Sequence, residues 1–123
     1  MALQPRIDGA DVRKVQVVPG DLESSFAVAT LTGTSNAAVV AAPGAGRNVY
    51  VRSVMVSNSS ASVVRVDLKD DSTTKIEGVC AANGGGFVYV FKEPLKVAEN
   101  KAFNGALSSA VTDVRVTAEY FVA

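Results

Sequence analysis

The chain has 123 residues, close to the size of one domain, and 48% of them are apolar, enough to fill a core without disulfides or metals. Lys plus Arg and Asp plus Glu both number 12, so the positive excess that duplex phosphates call for is missing and direct nucleic-acid binding is not expected. Histidine is absent, which excludes Ser-His-Asp and Cys-His sites, and the single cysteine, Cys80, has no intramolecular disulfide partner.

In chain order, Met1 to Asp11 mixes Leu3, Pro5 and Ile7 with Arg6 and Asp8 and is too irregular for a core strand, so it reads as an extended N-terminal arm. Leu3, Pro5, Arg6 and Ile7 carry enough apolar area to reward docking on a partner and are candidate partner-binding residues. Met1 to Ala10 has no apolar signal-peptide core, and no stretch approaches the ~20 apolar residues of a membrane span. Synthesis in the cytoplasm without a signal peptide, and no membrane partner, are the expectations.

Residues 12–123 are expected to form one domain of strands. Valine and alanine dominate the apolar content, and the branched Cβ of valine is accommodated better on a pleated strand than in a helix. Period-2 alternation places strands near 12–18, 25–32, 36–42, 48–58, 62–69, 74–80, 86–92, 101–107 and 110–122. In the last of these, Val114, Val116, Ala118, Tyr120 and Val122 should face the core. Arg115, Thr117, Glu119 and Phe121 should face outward, which would make Val116→Asp ruinous and Glu119→Lys nearly silent. In 62–69, Val64, Val66 and Leu68 should point inward, with Arg65, Asp67 and Lys69 outward.

Segment 48–57 is apolar on both parities, with Val49, Val51 and Met55 against Tyr50, Val54 and Val56, as a central or interface strand would be. Phe87, Tyr89 and Phe91 alternate with Val88 and Val90 in the same way. Turn signals separate the strands at Pro43-Gly44-Ala45-Gly46, Asn58-Ser59-Ser60, Asp70-Asp71-Ser72, Asn83-Gly84-Gly85-Gly86, Glu99-Asn100 and Ser108-Ser109. That punctuation belongs to an all-β antiparallel two-sheet sandwich.

Few residues offer chemistry. Asp67, Asp70 and Asp71 form the densest acidic group; they read as a strand end and hairpin turn, with weak calcium binding the alternative. Asn83-Gly84-Gly85-Gly86 is followed by a strand where a phosphate-cradling loop needs a helix, so it reads as a loop requiring positive φ. Pro43-Gly44-Ala45-Gly46-Arg47 lacks the Gly-Lys-Ser/Thr ending of a nucleotide loop and reads as a turn. Cys80, between Val79 and Ala81, reads as an inert buried thiol. The rings of Tyr50, Phe87, Tyr89 and Phe91 suit core packing or subunit contact, with carbohydrate stacking the alternative, and Tyr50, Tyr89 and Phe91 join the candidate partner-binding residues. No catalytic residue, cofactor or metal is expected, and no enzymatic activity.

The run Ala41-Ala42-Pro43-Gly44-Ala45-Gly46-Arg47-Asn48-Val49-Tyr50-Val51-Arg52-Ser53 is followed by two Val-rich strands and then Ala81-Ala82-Asn83-Gly84-Gly85-Gly86. With Phe87 to Pro94 and the closing strand Val114 to Val122, this order resembles small virion proteins of tailed bacteriophages, over residues 36–123. Many such proteins are capsid decoration or cement subunits with jelly-roll or related sandwich folds, often homotrimers. The resemblance implies a jelly-roll-like structural protein on the capsid surface that staples the lattice of the major capsid protein. A tail- or fibre-associated virion module and a small carbohydrate-binding domain are the other readings.

Overall fold

The computed structural model describes residues 23–123; the expected arm and the expected strand at 12–18 lie outside the described residues. The alternating segments form eight strands: β1 (Ser25–Leu31), β2 (Ala37–Val40), β3 (Val49–Asn58), β4 (Val64–Asp70), β5 (Thr73–Cys80), β6 (Gly85–Lys96), β7 (Phe103–Leu107) and β8 (Val114–Val122). Every strand pairing is antiparallel, and two four-stranded sheets result, ordered β1-β8-β3-β6 and β2-β7-β4-β5. The chain is therefore a two-sheet sandwich. Its pairs are nested: β1 lies beside β8, β2 beside β7, β3 beside β6 and β4 beside β5, as if one long hairpin had been rolled across two layers.

The inner faces make one valine-rich core. Val114, Val116 and Ala118 of β8 are fully buried, as the alternation predicts, and Tyr120 and Val122 pack against the cluster near its end. Val64, Val66 and Leu68 of β4 meet them from the second sheet, joined by Phe103 and Leu107 of β7. Burying each such side chain contributes about 1.5–3 kcal/mol, which is what drives the two layers together.

Strand β3 is central in its sheet, between β8 and β6, as one of the sequence readings has it, but its parity does not hold along its length. Val49, Val51, Val54 and Val56 are all buried, while Met55 is exposed, so the apolar residues of both parities do not mark two buried faces. The pairing with β8 and β6 slips between Val51 and Ser53, and Arg52 is the inserted residue. A bulge of this kind reverses the alternation, so odd positions face inward before it and even positions after it. Opposite Arg52, β6 carries four residues, Phe91 to Pro94, between the partners of Ser53 and Val51. Pro94, which has no N–H to give to a ladder, sits on this edge strand.

The turns follow their sequence signals. Pro43 to Arg47 is held by the loop after β6: the Gly44 N–H donates to Asn100 Oδ1 at 2.9 Å and the Gly46 N–H to Glu99 Oε2 at 2.7 Å. Asp71 takes φ 57° in the β4–β5 hairpin. In the β5–β6 turn, Asn83 takes φ 59° and Gly84 φ 112°, the positive backbone angles expected there.

Candidate functional site

The two outer faces of the sandwich differ in chemistry. On the β2-β7-β4-β5 sheet, Arg65 pairs with Asp67 at 3.0 Å and approaches Glu77 at 3.9 Å, and Lys69 donates to Asn36 Oδ1 at 2.9 Å. That face is charged, with Val79 beside Arg65 as its exposed apolar residue. On the β1-β8-β3-β6 sheet the register sets Val28, Thr117, Met55 and Val88 in one transverse row, and Phe26, Glu119, Ser53 and Val90 in the next. Among the described residues, Phe26, Val28, Met55, Val88 and Val90 are five of the eight large hydrophobic side chains left exposed, at 53–69%. An antiparallel sheet with one face on the core normally turns polar residues to water on the other, so five exposed apolar side chains on this face depart from that pattern.

At one end of this face the bulge gathers polar and aromatic groups. Glu119 accepts from Ser24 Oγ at 2.8 Å and from Ser53 Oγ at 2.9 Å, and the Arg52 guanidinium donates to Ser24 Oγ. The hydrogen bonds from Ser24 and Ser53, and the nearby Arg52 charge, hold the Glu119 carboxyl below the usual carboxylate range. Arg52 also lies 4.5 Å from the centroid of the Phe121 ring, which stacks on Tyr50 at 4.9 Å with the planes 3° apart. Phe121, expected outward, is indeed on the outer side but is buried beneath these two neighbours.

Glu119→Lys is accordingly not the silent change that alternation alone suggests. It replaces an acceptor of two hydroxyls by a second cation beside Arg52, at an expected cost of about 1 kcal/mol or more. In Glu119→Gln the acid sensitivity of the carboxylate disappears. Because the folded value is lowered, the parent's contribution is present above the unfolded carboxylate range and lost as pH falls through the lowered value. Chemical melts at neutral and acid pH should show the parent losing its advantage over Glu119→Gln on the acid side; a constant difference would remove Glu119 from this role.

A groove of about 550 Å³ runs between the free edges of β5 and β6, lined by Ile76, Gly78, Phe87, Tyr89 and Phe91 among others. Gly78 is needed here, since a Cβ would come within 2.6 Å of the Phe87 ring. Tyr89 and Phe91 meet edge to face at 4.9 Å, and Tyr89 is half exposed. A second pocket of about 400 Å³ lies at the bulge, between Arg52, Glu119, Val90 and the Phe91–Pro94 excursion.

Of the sequence-derived candidates, Tyr89 and Phe91 are thus together at the β6 edge. Tyr50 is not with them: it flanks core-facing Val49 and Val51 and so lies on the outer side, whereas Tyr89 pairs with core-facing Val54. Leu3, Pro5, Arg6 and Ile7 fall outside the described residues. The three aspartates are separately engaged, Asp67 with Arg65 and Asp70 with the Ala98 N–H at 3.0 Å, while Asp71 shapes the hairpin. Cys80 is buried, and burial pushes its thiol up, away from the reactive thiolate.

Met55 is named by sequence on one parity of segment 48–57, whereas Phe26 and Val28 are not singled out. Their signal is that β1 is apolar on both parities with the larger residues on one, Phe26 and Val28 against Ala27 and Ala29, and that the larger set faces out. Compared with protein-family models, with curated proteins and with solved structures, the chain matches none.

Proposed function

We propose that this chain is a non-enzymatic structural subunit of a tailed-phage virion, a capsid decoration or cement protein that forms homotrimers and stabilises the lattice of the major capsid protein. The observation that carries the reading is the contrast between a charged outer face and an apolar one on the same small sandwich. A protein whose chemistry is spent on surfaces rather than on a cluster of reactive groups acts by docking. The nested strand order supports the jelly-roll-like reading that the resemblance over residues 36–123 implies. A ligand that binds only the assembled lattice stabilises it by mass action, so many weakly docked copies suffice to resist internal pressure.

The expected result is that particles purified from cells infected with the phage encoding this chain carry it at a copy number comparable to that of the capsid protein. Particles assembled without it should release their DNA at lower temperature and recover when the purified chain is added back. Removing residues 1–11 should leave the sandwich folded but weaken capsid binding by about tenfold or more, the effect of losing about 1.4 kcal/mol of contact. Purified particles that lack the chain altogether would end the proposal. The groove beside Tyr89 and Phe91 supports carbohydrate binding as a second reading, for which Tyr89→Ala should abolish retention on a glycan array.

A further inference from the structure

We infer that the apolar outer face of the β1-β8-β3-β6 sheet is covered by a second copy of this chain, with the Phe26/Val28 flank of one copy packed over the Val88/Val90 flank of its neighbour. The inference deepens the structural-subunit reading and rests on it only for its biological setting, since the contact itself requires no capsid.

The residues on this face are arranged for self-association. Phe26 and Val28 lie on β1, one edge of the sheet, and Val88 and Val90 on β6, the opposite edge. Rows set by the register put Val28 level with Val88 and Phe26 level with Val90. When two such sheets meet face to face, a rotation about an axis parallel to the strands brings the β1 flank of each over the β6 flank of the other and keeps each row in step. Val28 then meets Val88, and Phe26 meets Val90. Both flanks are apolar, so the face is complementary to itself; a partner of different sequence would have to reproduce the same two stripes at the same separation.

Charge points the same way. Within the face, the Glu119 carboxylate is already engaged by Ser24 and Ser53 beside Arg52, and Arg115 pairs with Asp113 at 3.2 Å. The formal charge of the whole chain is zero. A chain without net charge gives little long-range repulsion between copies and little attraction to a strongly acidic or basic partner. Four strands about 4.8 Å apart, each running about 25 Å, give a footprint of about 500 Å² before side-chain relief is counted, which approaches the ~800 Å² per partner of a standard interface. Face-to-face sheet packing also needs no change of backbone, since it repeats the contact that the two layers of one sandwich already make.

The test uses the full chain in solution, without capsids. Sedimentation equilibrium over a wide concentration range should give twice the monomer mass, or six times it where homotrimers pair through this two-fold contact. Val28→Glu and Val88→Lys, both at exposed positions, should each raise the dissociation constant by about tenfold or more while leaving the circular dichroism spectrum unchanged. Combined in one chain, they should restore association, because every contact then sets a carboxylate against an ammonium. Three results overturn the inference: a monomer at all concentrations, an oligomer indifferent to both single variants, or a double variant weaker than either. A monomeric parent whose melting temperature falls in both single variants would assign the face to residues 1–22 of the same chain and equally reject the second copy. The capsid experiment can fail while this one succeeds, so the two readings are separable.

Discussion

Val116→Asp is expected to abolish folding. Val116 is fully buried on β8, paired on one side with Ala29 of β1 and on the other with Val56 of β3, both facing the same core. The side chains of both register partners carry no hydrogen-bond donor for a carboxylate there. Its burial costs several kcal/mol, and the lost valine transfer adds about 1.5–3 kcal/mol. The combined loss, about 5 kcal/mol or more, matches the whole stability of many small domains. Val116→Ala separates the charge from the cavity: it should fold and melt with a deficit of about 2 kcal/mol. One residue earlier in the strand, Arg115 points outward and pairs with Asp113, so Arg115→Ala should stay within about 0.5 kcal/mol of the parent. Soluble yield and thermal melting of the three variants check the set. A Val116→Asp protein that melts like Arg115→Ala would mean the faces of β8 are reversed.

Strand order along the chain was legible because it is written locally. Alternation and turn residues lie within a few positions of one another, and the eight strands from 25 to 122 fall where those signals place them. The closing strand was readable by face as well, since its outward residues are mostly polar. Strand β3 was not, because its bulge depends on how β6 and β8 lie against it, and a change of parity in mid-strand looks in sequence like two apolar faces. The same ambiguity blurred which apolar residues lie on the outer face. Valine has one signature whether it faces a core or a neighbouring molecule, so Val28 and Val88 could be sorted from Val54 and Val56 only by burial. Tyr50 and Phe121 illustrate a third case: their stacking joins β3 to β8 across 71 positions of sequence, a distance no local pattern spans.

The bulge connects these observations to function. By inserting Arg52 it keeps Val49, Val51, Val54 and Val56 all on the core, and it turns Met55 and Ser53 onto the outer face. The same irregularity throws Phe91 to Pro94 out of register and ends the flat part of β6, so the apolar rows at Val88 and Val90 stop at a polar cluster formed by Arg52, Glu119 and Lys92. A flat sheet edge without such a break would offer its unpaired backbone to indefinite strand addition. Here the apolar outer surface is bounded, as the proposed two-fold contact, which closes after two copies, requires.

Asn58→Ala is expected to produce the largest loss among the loop substitutions, although Asn58-Ser59-Ser60 reads in sequence only as a turn. Asn58 is fully buried at the end of β3, where the turn into β4 meets the loop between β5 and β6. Its amide donates to the carbonyls of Ser62 at 2.8 Å, Ala81 at 3.1 Å and Cys80 at 3.3 Å. Its Oδ1 accepts from the Ser60 N–H at 3.0 Å and the Ser60 hydroxyl at 2.6 Å, and its own carbonyl accepts from the Gly84 N–H at 2.7 Å. One side chain therefore satisfies the polar backbone of two loops, each of which crosses from one sheet to the other. Truncation to alanine leaves several of these groups buried without partners, at about 1–3 kcal/mol for each that water cannot reach, so a total loss of about 3 kcal/mol is expected. Asn58→Asp should be worse at neutral pH, because a carboxylate cannot donate to the three carbonyls it faces. Its folded value must then lie above the unfolded one, so the penalty is present at high pH and relaxes as pH falls through that raised value and the protonated acid regains one donor. Urea melts of the parent, Asn58→Ala and Asn58→Asp at neutral and acid pH provide the measurement. An Asn58→Ala midpoint equal to the parent's, or an Asn58→Asp deficit that grows on acidification, would show that this side chain does not hold the two loops together.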